Sequence, residues 1–140
     1  MMKRLLYVGF ILPAFLMAEL NVEEINHALS SIESIKPLKF FSLKKETPLT
    51  RNLQLTSLED ANIVLFPENI EDHKMNIVSS YEELKINKKS IGAIYLKKGR
   101  TQIIFVKERL QNNNLSLPDS FKKNILSECQ LNPICLISFL

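Results

Sequence analysis

Ile91-Gly92-Ala93-Ile94-Tyr95-Leu96-Lys97-Lys98-Gly99-Arg100-Thr101-Gln102-Ile103-Ile104-Phe105-Val106 is the stretch that decides the fold. Two apolar runs, Ile91–Leu96 and Thr101–Val106, flank a polar turn. Isoleucine, valine, tyrosine and phenylalanine suit a pleated surface, so both runs read as strands. Gly99 can take the left-handed backbone that a tight connection needs. A hairpin with a loop of three to four residues over Lys97–Arg100 is therefore predicted.

Upstream, Ile63-Val64-Leu65-Phe66 is continuously apolar and is stopped by Pro67. Such a run suits a strand buried on both faces, as in a parallel sheet. Asn76–Val78 forms a second short strand. Ser80, with Glu83 three residues on, has the capping-box pattern for a helix to about Lys85.

Nearer the N-terminus, Asn21 can cap a helix whose apolar positions are Val22, Ile25, Leu29, Ile32 and Ile35. That spacing predicts a helix over 22–35, ended by Pro37. Leu38–Leu43 reads as a strand. Lys44–Leu58 reads as irregular, with a brief strand around Leu53–Thr56. After the hairpin, a helix is expected over Lys107–Asn112, a loop over Asn114–Leu117, a helix from Pro118 or Asp119 to about Glu128, and a final strand over Leu136–Leu140. Buried strands alternating with helices predict an α/β fold, with the hairpin adding an antiparallel edge to a mixed sheet.

The region Ala61–Leu126 resembles the YfiR-like family of exported proteins. The resemblance rests on Ala61-Asn62-Ile63-Val64-Leu65-Phe66, then Ile77-Val78-Ser79-Ser80, the hairpin itself, and Leu115-Ser116-Leu117-Pro118 leading into a helix. It implies a non-enzymatic periplasmic protein. The best-understood kind in that family restrains an inner-membrane diguanylate cyclase.

The first residues point the same way. Met1-Met2-Lys3-Arg4 precedes an apolar run from Leu5 to Met17, and Ala18 stands at a plausible cleavage point before Glu19. This is the pattern of a secretory signal peptide. A spanning helix wants about 20 apolar residues, and this run is shorter and holds Gly9 and Pro13. The expectation is a signal over residues 1–18, a single domain over 19–140 and a periplasmic or secreted location. The formal charge of +3 falls by two when Lys3 and Arg4 leave. That leaves no basic excess for nucleic acid.

Export decides how the two cysteines read. Cys129 and Cys135 are the only ones, and a close pair in an oxidising compartment predicts a structural disulfide. His27 and His73 are lone histidines. His27 falls between the apolar positions of the first helix and is expected on its exposed face. His73 follows Glu71-Asp72, a setting that can hold a divalent ion but is more simply a solvated loop. Three glycines in the whole chain argue against a phosphate-cradling loop. No nucleophile stands in a recognisable catalytic motif. No metal or other cofactor is implied.

Lys97, Lys98 and Arg100 place three positive charges at the hairpin tip, a candidate contact for an acidic partner. The expectation is a small non-catalytic binding or regulatory protein that works through protein contacts in the envelope. The alternatives are a periplasmic small-ligand carrier, with Pro67–Asn69 and Ser79–Tyr81 at the strand ends where open α/β sheets bind ligands, or an enzyme of unrecognised type.

Overall fold

The computed structural model describes residues 19–43, 53–71 and 73–134. The expected signal over residues 1–18, the strand over Leu136–Leu140 and much of the irregular 44–58 stretch lie outside the described residues.

Four α-helices and nine strands are described. The helices are α1 (Val22–Ser30), α2 (Tyr81–Ile86), α3 (Lys107–Asn112) and α4 (Glu128–Leu131). The strands are β1 (Glu33–Ser34), β2 (Lys39–Ser42), β3 (Gln54–Leu55), β4 (Ile63–Leu65), β5 (Met75–Val78), β6 (Ser90–Lys97), β7 (Arg100–Val106), β8 (Leu115–Ser116) and β9 (Ile125–Leu126). Seven of them form one sheet in the order β3-β2-β4-β5-β6-β7-β9. Neighbours run parallel from β3 to β6, β7 is antiparallel to β6, and β9 is parallel to β7. The fold is α/β with a mixed sheet and flanking helices.

Period-two alternation divides the core. Ile63, Leu65, Ile77, Ile103 and Phe105 pack with Ile25, Ala28 and Leu29 of α1 and Leu110 of α3. Their alternates Val78, Ala93, Ile104 and Val106 pack with Leu84 of α2 and Leu131 of α4. Central strands covered on both faces give the near-continuous apolar runs seen in the sequence.

Several boundaries differ from the sequence reading, each for a local reason. Helix α1 stops at Ser30, not Ile35. The Ser31 hydroxyl donates to His27 O, and the chain then pairs Glu33 and Ser34 with Ser116 and Leu115. Ile35 is left 92% exposed, so its helical spacing was coincidental. The same pairing turns the expected 114–117 loop into β8. The expected single helix over 118–128 is a 3₁₀ turn at Asp119–Asn124, then β9, then α4. Ser127 restarts the helix there with a complete capping box to Gln130. Because β9 pairs beside β7, the hairpin is internal to the sheet, not its edge. Its loop is also tighter than expected. Lys97 pairs with Arg100, so only Lys98 and Gly99 connect the strands. Their φ values of 52° and 76° make a turn of the primed type that matches strand twist.

Candidate functional site

Two regions bring together side chains with something to do. The first is the far half of the hairpin. Pairing of β6 with β5 ends at Ala93, and pairing of β7 with β9 begins at Phe105. The rungs from Ile94–Ile103 to Lys97–Arg100 therefore project past both neighbouring strands. Two side-chain contacts support the outer side of β7. Asn124 donates its amide to Ile103 O at 2.8 Å, and Asn21 N donates to Thr101 Oγ1 at 2.6 Å. The tip carries Lys97, Lys98 and Arg100, all exposed, beside Leu96 at 40% exposure. At the base, Tyr95, Tyr81, Ile70 and Leu126 pack half-buried over the second-face core. Burial pushes the Tyr95 phenol above the usual 10.0, and the Tyr81 phenol adds to the shift.

The second region is a cleft of about 490 Å³ lined by Asn62, His73, Lys74, Lys88, Arg109 and Asn112 among others. These residues sit just before β4, β5 and β6 and at the end of α3. The cleft therefore opens at the N-terminal ends of the parallel strands. The positions expected to bind a ligand, Pro67–Asn69 and Ser79–Tyr81, lie at the opposite ends. Side-chain hydrogen bonds hold the cleft in shape. Buried Asn76 accepts from Glu71 N and donates to Glu71 O and Lys74 O, which closes the loop before β5. That loop sets Lys74, whose ammonium donates to Glu59 O and Ala61 O at 2.8 Å each. Arg109 is 6% exposed. Its Nη1 donates to Leu84 O, Asn87 O and Ser90 O, and its Nε donates to Glu128 Oε1.

The remaining candidates are dispersed. His27 lies on the exposed face of α1, with its ring 5.2 Å from that of Phe121. His73 is exposed on the cleft wall. Among the described residues, no three histidine, cysteine or acidic side chains gather as a metal site would require. Cys129 lies on α4 and is disulfide-bonded, while Cys135 lies outside the described residues. No described helix is long and apolar enough to cross a membrane. The sequence reading missed Arg109, Asn76 and Lys74. An arginine beside the core residue Leu110 was the one available signal. Comparison with known families, characterised proteins and solved structures finds no match for this chain.

Proposed function

We propose that this is an exported, non-catalytic binding protein that engages an acidic protein partner of the envelope through the tip of its β6–β7 hairpin. The observation that carries the reading is the projection of that hairpin past β5 and β9. It presents a two-stranded arm with Leu96 as an apolar contact and Lys97, Lys98 and Arg100 as charges near it. An apolar centre within a polar rim is the usual anatomy of a protein contact, and the cations would steer a negatively charged partner. The signal pattern over residues 1–18 and the resemblance to YfiR-like proteins support the compartment and the regulatory class.

A pull-down from envelope extract tests the reading, with Lys97→Glu/Lys98→Glu/Arg100→Glu as the comparison. The native protein should enrich a partner that the folded triple variant loses. Equal capture by both would sink the hairpin contact, and turnover of a substrate by the purified protein would sink the non-catalytic reading. Export is tested by intact mass, which should begin at Glu19. A second reading, a carrier of a small ligand, is favoured by the cleft at the other end of the strands. A ligand seen by native mass spectrometry of freshly purified protein belongs to that reading alone.

A further inference from the structure

The cleft at the N-terminal ends of β4–β6 has a chemistry that the hairpin contact does not use. Its described lining includes Lys74, Lys88, Lys89 and Arg109 and no acidic side chain. A solvated basic face would have mobile lysines; here two of the cations are fixed in place. Lys74 spends two of its three N–H groups on Glu59 O and Ala61 O, leaving one. Arg109 spends Nε on Glu128 and Nη1 on three carbonyls, and its Nη2 has no acceptor among the described residues. That amino group belongs to a side chain more than nine-tenths buried that lines the cleft. Lys88, which is exposed, and Asn112 also line the cleft. Donors fixed before binding spare a ligand the entropy of ordering them. Guanidinium and ammonium donors held this way match phosphate or carboxylate oxygens.

We propose that this cleft binds a small multivalent oxyanion, bearing phosphate or carboxylate groups, through Arg109, Lys74 and Lys88. The proposal deepens the carrier reading and is independent of the hairpin contact. It gives the fold a ligand site at the strand ends opposite those that open α/β sheets ordinarily use.

The test is an NMR titration of the purified protein with sodium pyrophosphate and, separately, with sodium citrate, at constant ionic strength. Saturable shifts are expected at the Arg109 Nε–H and at the amides of Lys74, Lys88 and Asn112. Saturation by pyrophosphate alone assigns phosphate; saturation by citrate alone assigns carboxylate. Lys88→Glu should weaken binding by about tenfold or more, since it puts a like charge against the ligand. Lys123→Glu makes the same change in net charge on the exposed 3₁₀ turn and should leave affinity within about twofold, because a distant exposed charge is screened. Neither variant touches the core, so folding is not at issue. No saturation with either probe, or equal weakening by the two variants, overturns the anion site. A neutral ligand found by native mass spectrometry together with no response to either anion would keep the carrier reading and remove the anion.

Discussion

Arg109 of α3 donates its Nε–H to Oε1 of Glu128, the first residue of α4. The same guanidinium donates from Nη1 to Leu84 O and Asn87 O at the end of α2 and to Ser90 O at the start of β6. Glu108 Oε2 accepts from Glu128 N at 2.6 Å and doubles the link. Helices α2 and α4 span six and four residues, too short to persist unaided. One buried side chain ties both to the sheet while also walling the cleft.

Arg109→Met should therefore be costly. It removes the donor from three carbonyls and from Glu128 together. Losing one member of a buried charge pair costs about 3–5 kcal/mol. Glu128 keeps its side chain 35% exposed, so its orphaned charge can reach water, and about 3 kcal/mol is expected. Glu128→Gln keeps an oxygen acceptor at the same place and should cost about 1 kcal/mol. Urea unfolding of both single variants and the double variant checks this. Equal costs for the two single changes would mean that the ion pair, not the carbonyl clamp, dominates.

The sequence shows the α/β alternation, the hairpin and the caps at Asn21 and Ser80 because each rests on neighbours in the chain. Asn21 accepts from Glu24 N and Ser80 from Glu83 N, the cap half of the expected boxes; the Glu83 carboxylate accepts from the Ser79 hydroxyl and not from Ser80 N. What it hides depends on distant partners. Strand β8 exists because Leu115 meets Ser34, and β9 because Ile125 meets Phe105. Two-residue strands carry no periodicity to detect. The hairpin tip could be read from its charges alone. The cleft could not, since its cations come from three separate connections and are joined only by the folded sheet.

Gly92→Ala should damage the sheet centre. A Cβ at this position would lie 2.5 Å from Ile104 O and 2.8 Å from Phe105 Cδ1. The first clash is with backbone of the paired strand, which cannot swing aside. Overpacking of this kind costs about 1–3 kcal/mol, and the upper end is expected. Thermal unfolding measures it; a cost below about 1 kcal/mol would show that β6 and β7 can separate locally.

Lys98→Asn should stabilise the hairpin. Lys98 adopts φ 52° immediately before Gly99. Asparagine tolerates that conformation better than lysine, and Asn-Gly is the favoured pair for this turn. A gain of about 0.5–1 kcal/mol is expected in urea unfolding, within the range of compatible turn substitutions. A loss would mean that the lysine makes a contact outweighing its backbone cost.

Tyr95 should make the fold sensitive to alkali. Burial and then Tyr81 raise its phenol above 10.0, so the folded state favours the neutral form. The associated stability is present below the unfolded phenol value and is lost as pH rises through the folded one. Phenolate absorbance should show Tyr95 titrating late. Tyr81→Phe removes the lesser cause and should lower that midpoint only in part. A full return to the ordinary value would assign the shift to Tyr81 instead of to burial.

The last prediction concerns α4 and the cysteines. Cys129 stands in a helix already held by Leu131, which is 1% exposed, by the Ser127–Gln130 capping box and by Arg109. With this much anchorage, a bond from Cys129 to Cys135 adds little to the global fold. The loop it closes is short, and about 1–2 kcal/mol is expected from the chain-entropy model. Its larger effect is local, on the short segment that it closes after α4. Cys129→Ser with Cys135→Ser should fold, lose about that much stability and become open to protease near the C-terminus. Reduction of the native protein should reproduce the same cleavage. Thiol labelling of the purified, oxidised protein should find neither cysteine reactive; modification of both would rule out the pairing and leave α4 held by Leu131, Arg109, Glu108 and its own capping box.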